Sequence, residues 1–283
     1  MKSDAKYPVG ELIVRFYRKR TASFLVNIYK AGITGSSRDI HRARLDVKKI
    51  FAIADLLRIV RPKKEKDPGY EKIFKKLYRA SGRIREIQVN QVLITGAEFA
   101  RYDLLLFSKD LECQEKELTK EFLRVIRKFD EKKLAGLEKR IIREVGKITH
   151  RILQHKTNRY IDAKTAISLE LLENAEGEDH VHEVRQHIKE LSTVLTLIFT
   201  IKPSGSLEKV INGLNKSEMM IGDWHDKVIL AGSLSAFLEQ NPDLSENQLA
   251  PARECYTSLA ATNKSQIESI LLDVRKAIAE SML

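Results

Sequence analysis

Apolar residues recur at steps of three and four along nearly the whole chain, the spacing that lines one face of an α-helix. No stretch alternates apolar and polar residues as a half-buried strand would. The clearest run is Ile40, Ala43, Val47, Ile50, Ala54 and Leu57. It returns 141 positions later as Val181, Val184, Ile188, Leu191, Leu195 and Ile198, and both runs stop at a proline, Pro62 and Pro203. Each run predicts a helix with a packed seam, ended by a residue that cannot continue it. The repetition predicts a duplicated helical unit.

Glycines, prolines and capping residues divide the rest. Residues 8–31 predict a first helix, with Pro8 in its first turn and Gly32 as its stop. Ser36 with Asp39 reads as a capping box that opens the second helix, which ends at Arg61. Residues 62–69 read as a charged loop, after which Tyr70, Ile73, Phe74, Leu77, Ile84 and Ile87 outline another amphipathic helix. Residues 97–129 predict one long helix or a broken pair, and Asp130 caps the next segment, which begins the second half near 131–135. Residues 176–179 and 203–206 act as loops around the second copy, and Pro242 and Pro251 flank a connection into a C-terminal helix. The predicted fold is all-α, with two helical bundles side by side. They form one domain, 1–283, made of two pseudo-repeats, about 1–133 and 134–283.

What the duplication repeats is a set of charges. His41, Arg44 and Lys48 each follow a seam residue by one position, about 100° around the helix, so they form one stripe along the edge of the core. His182, Arg185 and Lys189 do the same in the second copy. Two further anchors extend the match. Ser81-Gly82-Arg83-Ile84-Arg85-Glu86 corresponds to Ile221-Gly222-Asp223-Trp224-His225-Asp226 at an offset of 140, and the cationic pair Arg15 and Arg18 corresponds to Lys156 and Arg159 at 141. The copies differ at Lys49, which becomes Glu190.

Fifty Lys and Arg against 39 Asp and Glu give a net charge of +11, which favours a polyanionic partner: nucleic acid, anionic lipid or inorganic phosphate chains. Hydrophobic residues make up 43% of the chain, enough for a real core. The two cysteines, Cys113 and Cys255, form no C-x-x-C pair and suit a reducing interior as small apolar fillers. The longest uncharged stretches have 11 residues, well short of the ~20 that span a bilayer, and no signal-peptide run precedes Arg15. These features predict a soluble cytoplasmic protein without a membrane role.

The repeated residues resemble the CHAD family, the conserved histidine α-helical domain. Its pattern of His, two residues, Arg, three residues and a base is met by His41, Arg44 and Lys48-Lys49 and again by His182, Arg185 and Lys189. Its Gly followed by a base and an acid is met by Gly82-Arg83-Ile84-Arg85-Glu86 and by Gly222-Asp223-Trp224-His225-Asp226. The resemblance spans essentially the whole chain. It implies two four-helix bundles related by pseudo-twofold symmetry, a central groove lined by basic side chains of both, and binding of inorganic polyphosphate, with localisation to polyphosphate granules. Some relatives carry a triphosphate tunnel hydrolase domain marked by E-x-E-x-K; the nearest string here, Glu115-Lys116-Glu117-Leu118-Thr119, lacks the Lys and lies in a helical pattern.

The chemistry of the stripes agrees. A polyphosphate chain offers acceptor oxygens and negative charge but no donors, much like a nucleic-acid backbone. Arg44 and Arg185 can give forked hydrogen bonds to phosphate, while Lys48, Lys49 and Lys189 act as point charges. Arg85 and His225 join them, and Arg15, Arg18, Lys156 and Arg159 form a secondary set. His41 and His182 fall in or near the first turns of their helices, where free amides favour an anion, so ligand binding would take up protons near pH 6 to 7. Glu86 and Asp226 are expected to pin a neighbouring Arg or His, and Trp224 to sit in the core at the bundle junction. The His180, His182 and His187 cluster lacks zinc spacing, and His41, His182, Glu86 and Asp226 are the only metal set that symmetry would assemble. No nucleophile motif or phosphate-binding Gly loop is present. The expectation is a non-enzymatic polyphosphate-binding module with no cofactor and no metal. The alternatives are a nucleic-acid-binding protein, disfavoured because no aromatics interleave the stripe, and a metal-dependent phosphate-chain hydrolase. Because Glu190 interrupts the second stripe, the first half is expected to carry more of the affinity.

Overall fold

The computed structural model describes residues 8–61, 69–173 and 178–282. Among these there are nine α-helices and no strand: α1 Val9–Thr34, α2 Ser37–Val60, α3 Tyr70–Ile94, α4 Leu105–Arg127, α5 Lys132–Val145, α6 His150–Glu173, α7 Glu178–Ile201, α8 Gly205–Gln240 and α9 Glu246–Met282. The starts of α6, α7 and α9 fall 141 residues after those of α1, α2 and α4, so the helix boundaries repeat along with the seam. The short α5 lies between the two sets and packs on α1, where the Tyr17 hydroxyl donates to the Leu134 carbonyl at 2.9 Å. Consecutive helices pack on one another within α1–α4 and within α6–α9, and α2 packs directly on α7.

Every seam residue read from the periodicity is buried, from Ile40 to Leu57 on α2 and from Val181 to Ile198 on α7. These two helices form the middle of the main core. In the first half Phe74 and Phe129 each meet the Phe24 ring edge-on, and Trp224 joins the same core, its indole donating to the Asn263 carbonyl at 3.1 Å. A second core lies at one end of the molecule. There Ile87, Phe107 and Leu111 of the first half meet Leu230, Leu234, Phe237 and Cys255 of the second. Burial pushes the Cys255 thiol up to about 11, whereas Cys113 is exposed on α4 and fills no core.

The helix ends depart from the sequence reading in three places. Gly32 does not stop α1; the helix runs on to Thr34, and Gly35 closes it at φ 63°, a left-handed conformation glycine adopts without strain. Ser36 does precede α2, but its side chain makes no capping hydrogen bond, so the expected box with Asp39 is not formed. Pro251 lies inside α9 rather than in the connection before it. It stands early in that helix, where little of the hydrogen-bond ladder precedes it. Asp130 does receive the Lys132 amide at 3.1 Å before α5. The 97–129 segment is a series of turns followed by α4. The loop expected at 62–69 lies outside the described residues but for Gly69, and of the one expected at 176–179 Glu178 and Asp179 already belong to α7, whose first turn they supply with acidic residues.

Candidate anion-binding site

One cleft of about 350 Å³ collects the stripes of both copies. It is lined by His41, Arg44 and Lys48 from α2, Arg85 and Glu86 from α3, Arg185 and Lys189 from α7, and His225 and Asp226 from α8. The packing of α2 on α7 causes this convergence. Each stripe flanks its own seam by one position, so burying the two seams together leaves both stripes on the same side of the contact. Lys48 and Lys189 hold the same place in the two copies and are neighbours: among the charges around Lys48, Lys189 weighs most.

Five full cations, Arg44, Lys48, Arg85, Arg185 and Lys189, share the cleft with two carboxylates, Glu86 and Asp226. Among the described residues none of the five lies within 4 Å of a carboxylate oxygen, although ion pairs are frequent elsewhere, as between Arg18 and Glu138 at 2.7 Å or Lys227 and Glu98 at 2.8 Å. The electrostatic consequence is visible in the titrating groups. Burial first, and then Lys189, Arg44 and Arg185, bring Lys48 down to about 8, against the partial support of Glu218. Burial and Arg185 likewise lower Lys189. His225 falls to about 4 through burial and the charges of Arg185, His182 and Lys189, and His41 is lowered by burial and by Arg85, Lys48 and Arg44. Burial raises Asp226, opposed by Arg185 and Arg85. Three buried nitrogens in this group, His41 Nδ1, Arg185 Nε and His225 Nδ1, have no hydrogen-bond partner. Clustering like charges and leaving buried polar atoms unpaired both cost stability.

Arg44 has a protein partner of a different kind. Its Nη1 donates to the Tyr78 carbonyl at 2.6 Å, and its guanidinium carbon stands 3.8 Å from the centre of the Tyr78 ring. Gly82 makes room for this arrangement, since a Cβ there would lie 3.2 Å from Arg44 Nη1. Gly222, its counterpart, faces nothing within 4 Å. The Gly of the sequence signature thus has a steric role in the first copy alone.

Several sequence-predicted residues lie elsewhere. Lys49, one position beyond Lys48, turns away from the cleft toward Arg20, Asp46 and Lys19. Its counterpart Glu190 turns toward α6, pairing with Lys164 at 2.9 Å. Neither adds to nor subtracts from the cleft, so the argument for a stronger first half from this pair does not hold. The secondary set is also separate. Arg15 pairs with Glu11 and Arg18 with Glu138, and neither these nor Lys156 and Arg159 line the cleft. His182 does not line it either, but its ring meets that of His225 edge-on at 4.8 Å and lies 5.7 Å from Trp224. His41 and His182 are the fifth residues of their helices, just past the free amides of the first turn. Among the described residues Glu86 and Asp226 pin no cation within ion-pair distance; Tyr78, which the sequence reading passed over, holds Arg44 instead. His225 and Asp226, although adjacent, both reach the cleft. Among the described residues no three His, Cys, Asp or Glu side chains come together as a metal would require.

The arrangement is that of a helical protein with a cleft lined by cations of α2, α3 and α7. Among solved structures the chain is similar to the crystal structure of the CHAD domain from the plant Ricinus communis, with a TM-score of 0.76 and 14% sequence identity over 99% of this chain and 94% of that one. The fold is therefore that of a CHAD domain. No family model matches the chain, and no curated protein matches it. No helix among the described residues is long and apolar enough to cross a membrane.

Proposed function

We propose that the chain is a CHAD-family protein that binds inorganic polyphosphate in the cleft between α2, α3, α7 and α8, without catalysing its breakdown. The observation that carries this reading is the meeting of Arg44, Lys48, Arg85, Arg185 and Lys189 in one cleft with no carboxylate, among the described residues, within ion-pair distance of any of them. An anion with several charges close together relieves that repulsion, and one made only of phosphates matches a lining made mostly of donors. The lining contains no Phe, Tyr or Trp on which a base could stack, which favours a phosphate chain over single-stranded nucleic acid. The cleft would act as an address or a store for polyphosphate in the cytoplasm, at polyphosphate granules.

The test is a titration of the protein with long-chain polyphosphate and with single-stranded RNA of equal total charge, at two salt concentrations in phosphate-free buffer. The reading expects polyphosphate to bind more tightly than the RNA at both. Equal affinity for the two polymers would reduce the cleft to a general polyanion surface. Release of orthophosphate in the presence of Mg²⁺ or Mn²⁺ would replace the binding role with a hydrolytic one.

A further inference from the structure

The central cleft continues past α3. Arg44, Gly82 and Glu86 line it and also line a neighbouring hollow of about 620 Å³ between α3 and α4, whose walls carry Lys76, Arg79 and Arg83. That hollow in turn shares Lys76, Glu121 and Val125 with a third, of about 350 Å³, where Lys72, Arg124 and Lys128 enter. Shared walls set the three in one row. Along α3 it runs from Glu86 to Lys72, which at 1.5 Å per residue is about 21 Å. Lys72 and Lys76 are spaced i, i+4 on α3, an arrangement that sets like charges side by side and destabilises a helix, and Arg124 and Lys128 stand at the C-terminal end of α4. Of the groove's cations, Arg83 is neutralised by Glu121 at 2.5 Å and Lys133 lies 3.9 Å from Asp130. Lys72, Lys76, Arg79, Arg124 and Lys128 have no carboxylate within 4 Å among the described residues.

The duplication supplies an internal control. At the offsets that align the repeats, Lys72, Arg79 and Arg83 correspond to Asn212, Met219 and Asp223, and Arg124 and Lys128 to Ser265 and Ser269; only Lys76 keeps a base, Lys216. The helical framework therefore carries neutral or acidic residues at these places without loss of the repeat. The row of cations along α3 and α4 is not a requirement of packing, and it is present on one side of the cleft only.

We propose that the α3/α4 groove is a second anion subsite, continuous with the central cleft, along which a long polyphosphate chain runs after passing Arg44 and Gly82, so that the protein distinguishes chains by length. This rests on the polyphosphate reading of the cleft and adds a one-sided extension to it. The test uses the full chain and two variants. The groove variant is Lys76→Ala with Lys128→Ala, both exposed residues whose loss leaves the core intact. The cleft variant is Arg185→Gln with Lys189→Met. Each is titrated with tripolyphosphate and with long-chain polyphosphate at two salt concentrations. The groove variant is expected to lose about tenfold in affinity for long chains and about 1.5 units of log–log salt slope, at 0.7 to 0.9 per phosphate contact, with tripolyphosphate binding unchanged; the cleft variant is expected to lose affinity for both. A groove variant that binds both ligands like the parent, or weakens both equally, overturns the extension. If instead the cleft variant binds tripolyphosphate like the parent, the reading of the cleft itself fails, whatever the groove does.

Discussion

Lys48 is held charged at a cost that its removal should return. Its ammonium stands among Lys189 and Arg185 of α7 and Arg44 of α2, with Glu218 of α8 opposing them, and its pKa is about 8 against 10.5 in the open chain. Between those two values the unfolded chain binds more protons than the folded one, so stability should rise with pH from about 8 to 10.5. Below pH 8 the full penalty applies. At 1.36 kcal/mol per pKa unit it is of the order of 3 kcal/mol. Lys48→Met keeps most of the aliphatic stem and deletes the charge. It should therefore stabilise the ligand-free protein at pH 7 by up to about that amount. With an unfolding entropy of about 2.1 cal/mol/K per residue, the melting temperature should rise by roughly 5 °C. Calorimetry or dye-monitored melting at pH 7 in low-salt, phosphate-free buffer would read it. Added long-chain polyphosphate should reverse the order, since ligand stabilises the parent by RT ln(1 + [L]/Kd) and the variant binds less tightly. A variant that melts at or below the parent without ligand would refute the reasoning: Lys48 would then be stabilised within the protein, with Glu218 as its partner, and the cleft would not be a strained cationic site.

Two other outcomes follow from the same geometry. Gly82→Ala places a methyl group 3.2 Å from Arg44 Nη1 and should weaken polyphosphate binding several-fold. Gly222→Ala meets nothing and should leave binding unchanged while adding about 0.5 to 1 kcal/mol of helix stability; titration and melting of the pair check both, and equal effects on binding would contradict the one-sided role of Gly82. Polyphosphate binding should also take up protons at pH 8, up to about half a proton from Lys48, as the anion raises its pKa toward the ordinary range. With His225 at about 4 and His41 lowered, uptake at pH 6.5 should be smaller, and calorimetry in buffers of different ionisation heat would detect the reverse.

Periodicity was enough to find the two central helices, because a seam of apolar residues at steps of three and four has one stable resolution, burial against a neighbour. Repetition then marked which charges belonged together, and the cleft contains Arg44, Lys48, Arg185 and Lys189 because each flanks such a seam. What escaped was set by tertiary contact. Lys49 and Lys48 are chemically alike in sequence, and only the packing of helices around α2 leaves one beside Arg20 and Lys19 of α1 and the other beside Lys189 of α7. The anchoring of Arg44 on Tyr78 has no local signal beyond the glycine at 82. The α3/α4 groove was hidden for the opposite reason, since its cations are those the duplication did not keep. Gly32 and Gly35 lie three residues apart, and only the backbone, turning to φ 63° at Gly35, shows that the second closes α1.

The central claim is that the two stripes act together on one phosphate chain, and a crystal structure of the protein grown with a defined polyphosphate tests it most directly. The account predicts phosphate density in the cleft, in contact with Lys48 from the first copy and Lys189 from the second, and with the Arg185 guanidinium hydrogen-bonded to it. Phosphate bound only along the outer helices, at Arg15 and Arg18 or at Lys156 and Arg159, with Lys48 and Lys189 making no contact to it, would contradict the account.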